Sequence, residues 1–203
     1  DLSRYNQMPI RSNNFFKILI ILFYLLYLSL GLIISKDFGV TTDEEFQRYS
    51  GFYWLQYILN FTPFENLKFI VEEKLLAIEG FTLPNPKDFP YYGVIFDLPL
   101  ALFESLLEIN NSQSYFFLRH KINFLVFFIS SIYVYKIFEI RFKENGLVIL
   151  GVLLYITAPR IFGDSFFNNK DIVFLSLVTI SIYYCFKLID NFSYKNIFLF
   201  SLA

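Results

Sequence analysis

The 203 residues contain one cysteine, Cys185, and one histidine, His120. A single thiol forms no intrachain disulfide, and neither a cysteine-rich nor a histidine-cluster metal site can be assembled from these two residues. Charge is scarce as well. Asp, Glu, Lys and Arg make up 17% of the chain and sum to a net charge of -1, which argues against a nucleic-acid partner. No internal repeat and no low-complexity linker breaks the sequence. An initiator Met is also missing, and Ala203 falls inside an apolar run. The chain is therefore expected to be the N-terminal part of a longer protein whose later helices complete its pockets.

What the chain has in excess is apolar surface: 56% hydrophobic residues, with 28 Phe and 15 Tyr. This excludes an ordinary soluble domain and points to a polytopic membrane protein. The run Phe15 to Ile34 holds twenty residues with Lys17 as its only charge. At ~1.5 Å per residue it spans a hydrocarbon core of ~30 Å. It is long, and lacks the small-residue cleavage site of a signal peptide. Further spanning runs are expected at about 122–138, 146–162 and 172–189, with another from 197 onward.

A run at 93–109 differs. It carries Asp97, Glu104 and Glu108 at steps that place all three on one helix face, and Pro99 falls in its first turns. A central carboxylate costs ~2.5 to 3.5 kcal/mol on insertion scales, so this run is read as an amphipathic helix lying along the membrane surface. Basic residues agree with that choice. If the run does not cross, Arg4, Arg11, Lys17, Lys136, Arg141, Lys143, Lys187 and Lys195 all fall on the cytoplasmic side, as positive-inside bias requires. Residues 36–118 then form one external loop with twelve acids against five bases, and 159–171 a second loop on the same outer face. Within the first loop, Leu67, Ile70, Val71, Leu75 and Ile78 follow helical spacing, which predicts a surface helix over 67–79. The prolines at 84, 86 and 90 mark a loop between the two helices. The fold class expected is all-α: a polytopic transmembrane helical domain with amphipathic surface helices in a long first external loop.

Three polar groups converge on that outer face. Thr41-Thr42-Asp43-Glu44-Glu45 lies a few residues beyond the first span and reads as a helix start, with Thr42 as cap and Glu45 as its partner. For an isolated acidic cluster, such a cap is the commoner meaning. Arg119 enters the next span. The stretch from Arg160 to Asp171, which includes Asn168-Asn169-Lys170, is polar beyond the needs of a short turn.

The combination resembles the membrane glycosyltransferases of the GT-C superfamily, particularly family 39 and its bacterial relatives, the protein O-mannosyltransferases and aminoarabinose transferases. Asp43-Glu44 matches the family's early Asp-Glu pair, the helices near 67–79 and 93–109 its surface helices, Arg119 its Arg opening the next helix, and Asp171 its later Asp. Pro159-Arg160-Ile161-Phe162-Gly163 and Phe167-Asn168-Asn169-Lys170-Asp171 read much like bacterial members. Pro90-Tyr91-Tyr92-Gly93 departs from the mannosyltransferases' His-Pro-Pro segment and leaves the acceptor undefined.

The resemblance implies an inverting transferase in a bacterial inner membrane, multi-pass, with its site facing the periplasm or exterior. It would move a sugar from a polyprenyl-phosphate donor to a glycan, lipid or protein acceptor. Asp43 is then the catalytic base, Glu44 its orienting neighbour and Arg119 the clamp on the donor phosphate, with Arg160 and Lys170 as further phosphate-binding candidates. Asp171 either orients the acceptor or holds a divalent cation together with Asp43, and both readings stay open. His120 reads as a satisfied polar residue at a helix end, and Tyr91 and Tyr92 as ordinary interfacial aromatics. A transporter or lipid flippase, and a non-catalytic membrane subunit, are the alternatives.

Overall fold

The computed structural model describes residues 14–79, 83–89, 92–142 and 144–202. Arg4, Arg11, Lys143, Pro90 and Tyr91 lie outside them. The regular elements among the described residues are all helical, in the order α1 Asn14–Ile34, α2 Thr42–Leu59, α3 Glu65–Glu79, a 3-10 turn Pro86–Asp88, α4 Asp97–Leu106, α5 Ser112–Arg141, α6 Asn145–Thr157, α7 Pro159–Phe167, α8 Asp171–Asp190 and α9 Tyr194–Leu202. Three of these, α1, α5 and α8, are long and apolar enough to cross a membrane.

The run expected to span at 146–162 is broken. Helices α6 and α7 meet at an angle of 58°, and count as a fourth crossing only if the bent pair is taken as one. Pro159 is the cause. Its ring forces the preceding residue out of helical geometry, and Ala158 has φ −57° and ψ 116°. Because proline suits a first helical turn, the chain resumes at once as α7, which absorbs most of the loop expected over 159–171.

Two apolar cores result. One joins α1, α5, α6, α7 and α8 through Tyr27, Phe124, Phe127, Val152, Ile156, Phe166 and Ile172. Helix α5 is its axis, packing on α1, α6, α7 and α8. The other joins α2, α3 and α4 through Tyr49, Phe52, Leu55, Leu59, Val71, Leu75, Ile78 and Ala101. The apolar spacing read over 67–79 is the inner face of α3, where Val71, Leu75 and Ile78 are buried. Gly51 allows the close approach of α2 to α4: a Cβ there would meet the Asp97 carbonyl oxygen.

Helix α4 corrects the expectation for 93–109 in extent and in facing. It covers only Asp97–Leu106, and Glu108 follows it in left-handed backbone at φ 50°. Asp97 and Glu104 point inward, 3% and 1% exposed, while Phe103, Leu106 and Leu107 point out. The acidic side turns in because cations wait there. Arg48, Lys74 and Arg119 all reach these two carboxylates.

Packing of α1 on α5 depends on Gly31, whose missing side chain leaves room for the Phe124 ring. Gly31→Leu overpacks that contact and is expected to cost about 1–3 kcal/mol, read as a lowered thermal midpoint in detergent. Leu30→Ala, at a half-exposed neighbour on the outer face, is expected to leave the midpoint nearly unchanged.

Candidate active site

Helix α2 begins one residue earlier than the sequence suggests. Thr41, not Thr42, is the cap, and Glu44, not Glu45, is its partner: the Thr41 backbone N–H donates to Glu44 Oε2 at 2.9 Å. This reciprocal arrangement satisfies donors that an open helix end would leave free. It also separates the two acids. Glu44 is buried, its Oε1 2.8 Å from His120 Nε2, while Asp43 is exposed. His120 Nδ1 lies 3.2 Å from the carbonyl oxygen of Ser35, just past the end of α1.

Asp43 borders a pocket of about 110 Å3 with Thr41, Gln47, Asn168, Asn169 and Lys170. Gln47, Asn169 and Lys170 also line an adjoining cavity of about 330 Å3, with Tyr92, Asp97 and Asp171 at its polar end. Its remaining walls are Ile95 and Phe96 before α4, and Val173, Phe174 and Leu177 of α8. The two spaces form a groove that is polar at one end and apolar along a helix long enough to cross a membrane. Lys170 Nζ sits 4.9 Å from the centre of the Tyr92 ring, within cation–π range.

Asp171 opens α8 in a reciprocal pair with Asn168: its N–H donates to Asn168 Oδ1, and its Oδ2 accepts from Asn168 Nδ2, both at 3.0 Å. Asn169 turns the other way and donates to Asp97 Oδ1 at 2.7 Å. The Asn168-Asn169-Lys170-Asp171 turn thus fixes α8, locks onto α4 and offers a cation to the groove.

Arg119 is not brought to the groove. It is 4% exposed, and its Nη1 donates to Asp97 Oδ1 at 2.8 Å, while Nε and Nη2 are buried without a partner among the described residues. Burial pushes the Asp97 carboxyl above the usual carboxylate range, against the pull of Arg119 and Asn169. Arg160 lies in the first turn of α7 with its side chain in the open, 3.7 Å from Asp164, and lines neither part of the groove. Of the expected residues, then, Asp43 borders one part of the groove, Asp171 the other, and Lys170 both. Glu44 supports them from behind, and Arg119 belongs to the architecture.

A divalent cation does not suit this donor set. Asp43 and Asp171 line different parts of the groove, Lys170 borders both, and Asp171 Oδ2 is engaged by Asn168. Among the described residues no group of three or more metal-ligating side chains gathers.

Sequence reasoning missed Gln47, which the four-residue step from Asp43 already places on the same helix face. It also missed two pairings across long sequence separations, Arg48 with Glu104 and Arg119 with Asp97, for which no local signal exists. A larger cavity of about 470 Å3 beside α3 is lined by Arg48, Lys74, Glu73, Glu108 and Tyr115. Its cations are engaged elsewhere. Arg48 grips Glu104 through Nε and Nη2 with its guanidinium 3.8 Å from the Tyr115 ring centre, and Lys74 donates to Ile109 O and Asn110 Oδ1. The groove, with its exposed carboxylate and ammonium, is the better candidate.

No protein-family model matches the chain, and no curated protein or solved structure matches it either. The likeness to membrane glycosyltransferases rests on the sequence motifs alone.

The Glu104 cluster yields a stability test. Burial holds the Lys74 ammonium below the usual lysine range, so folding disfavours its charge. That cost is present at neutral pH and is relieved as pH rises through the lowered value towards 10.5. Lys74→Met is therefore expected to stay within about 1 kcal/mol of the parent and to lose the alkaline rise in stability. Glu104→Gln leaves Arg48 buried without a counter-charge and is expected to cost about 3–5 kcal/mol. Denaturation midpoints measured across pH check both.

Proposed function

We propose that the chain is part of an inverting glycosyltransferase that takes a sugar from a polyprenyl-phosphate donor at the outer side of a membrane. The observation that supports this best is the groove. An exposed carboxylate and an exposed ammonium share its polar end, and its far wall is the apolar flank of α8. A lipid-linked sugar phosphate has that same division, with a charged, hydroxylated head and a hydrocarbon tail.

In this reading Asp43 accepts the proton of an acceptor hydroxyl as its oxygen bonds to the anomeric carbon. The bond from that carbon to the phosphate oxygen breaks, and its electron pair leaves on polyprenyl phosphate. Lys170 is the cation placed to meet the extra negative charge, since Arg119 is already paired with Asp97. Gln47 and Asn169 offer hydrogen bonds to the sugar.

Purified full-length protein supplied with radiolabelled polyprenyl-phosphate sugars and with nucleotide sugars tests the proposal. Transfer from the lipid-linked donors is expected, and use of nucleotide sugars alone would sink it. Asp43→Asn keeps the side chain's shape but cannot take a proton; it is expected to lose at least ~100-fold in kcat. Lys170→Ala removes a charge-assisted contact worth ~1.5–3 kcal/mol, or roughly ten- to hundredfold in kcat/KM for the donor.

One feature favours a second reading. The span broken at Pro159 is of a kind that transporters use to build midplane binding sites. Movement of lipid across vesicles without glycosyl transfer would favour a transporter or flippase.

The orientation is part of the same proposal: residues 36–118 and the α7 to α8 turn face outward, with the surface of α4 that bears Phe103, Leu106 and Leu107 against lipid. A cysteine placed at Asp88 is expected to react with an impermeant reagent on intact cells, and one at Arg141 is not. The reverse pattern would overturn the topology.

A further inference from the structure

His120 is the only histidine of the chain and is 1% exposed. Both of its ring nitrogens have hydrogen-bond partners, and both partners are acceptors. Ser35 offers a carbonyl oxygen at 3.2 Å, which cannot donate, so Nδ1 carries a hydrogen. Glu44 offers Oε1 at 2.8 Å. Its other oxygen accepts from the Thr41 backbone N–H at 2.9 Å, with Thr41 Oγ1 at 3.4 Å. One hydrogen lies between Glu44 Oε1 and Nε2, and with Oε2 already accepting from Thr41 the arrangement suits an accepting carboxylate that faces a second ring N–H. Two N–H groups on one ring make an imidazolium.

We propose that His120 is held as an imidazolium and acts as the positioning residue for Asp43, working through Glu44; this rests on the reading of Asp43 as the base. The link is short. Glu44 adjoins Asp43 in the first turn of α2, and the residues from Lys36 to Val40 that lead into that helix are mostly exposed. Phe38, stacked on Phe166 at 4.3 Å, is the only one of them held by a ring contact among the described residues. The His120 ring therefore ties the end of α1, the start of α2 and the body of α5 at one point. A carboxylate displaced by ~1 Å from its reacting partner can lose about a hundredfold in rate, so the tie bears on turnover and not on donor binding, which falls to Lys170.

Nitrogen NMR of protein carrying ring-labelled histidine tests the proton count without any turnover, the His120 signal being assigned by its loss in His120→Gln. Two protonated ring nitrogens are expected in the parent. In Glu44→Gln, where the amide can donate to the ring, one protonated and one bare nitrogen are expected. A bare Nε2 in the parent overturns the proposal. In the transfer assay, His120→Gln is expected to lower kcat ten- to hundredfold, in line with that misplacement, with the donor KM unchanged; parent-like kcat overturns it. Should His120→Gln fail to fold, the contrast between parent and Glu44→Gln spectra still decides. Should Asp43→Asn turn over normally while the parent ring is doubly protonated, the reading of Asp43 as base fails and the clamp on α2 stands as architecture.

Discussion

A charge taken from water into a protein interior costs several kcal/mol unless a partner meets it there. Among the described residues Glu44, Arg48, Lys74, Asp97, Glu104 and Arg119 are all buried. Each has its partner on another helix: Glu44 with His120, Arg48 and Lys74 with Glu104, Asp97 with Arg119. Arg48 and Lys74 meet Glu104 within the group of α2, α3 and α4, whereas Glu44–His120 and Asp97–Arg119 cross to α5. The core of α2, α3 and α4 shares no buried residue with the core around α5, so these two crossing pairs help set one against the other. Apolar contact alone would let the two slide. Hydrogen-bonded charges have direction, and removing one partner strands the other, so they fix a single arrangement.

That arrangement builds the groove. Asp97 accepts from Arg119 on α5 and from Asn169 in the turn before α8 through the same oxygen, which draws the start of α4 and the start of α8 together. The break at Pro159 makes this possible. A straight helix through 146–162 would carry the following residues away from α2, whereas a 58° bend returns the Asn168 to Asp171 turn to the same end of α5. Lys170 then borders the pocket of Asp43 because its neighbours Asn168 and Asn169 are engaged with Asp171 and with Asp97.

Hydropathy and periodicity carried the elements that are apolar enough to cross a membrane or that face a simple core. Helices α1, α5, α8 and α3 follow directly from such patterns, since the solvent on each face is apolar or aqueous throughout. The pattern fails where a third environment intervenes. Asp97, Glu104 and Glu108 share a helical face in the sequence, and a carboxylate stripe is read as facing water because partners from distant segments leave no local trace. Here the partners are 22 residues away for Asp97 and 56 for Glu104. The same blindness made Arg119 look like a free cation. Pro159 was legible as a residue, but its consequence was hidden in an apolar run that composition alone reads as continuous. Asp43, Lys170 and Asp171 stand out in the sequence because charge beside a long apolar run is rare.

The contrast between Arg119 and Lys170 carries the functional reading further. A guanidinium has five donors in a rigid fork and suits a permanent buried pair, whereas an ammonium on a flexible stem suits a ligand that comes and goes. Arg119 is enclosed with Asp97, and Lys170 is exposed above Tyr92. In the proposed reaction a leaving phosphate gains charge only as the glycosidic bond breaks, so the cation that meets it must be free to move towards it. Asp43 borders the same small pocket, and its own charge falls as it takes the acceptor proton. The two groups therefore change in complementary senses during one step: negative charge fades at Asp43 as it grows beside Lys170. The pocket as a whole passes through the reaction with its net charge constant. That condition is easiest to meet where protein, and not bulk water, surrounds both groups, which is what a groove between surface helices and a membrane-length helix supplies.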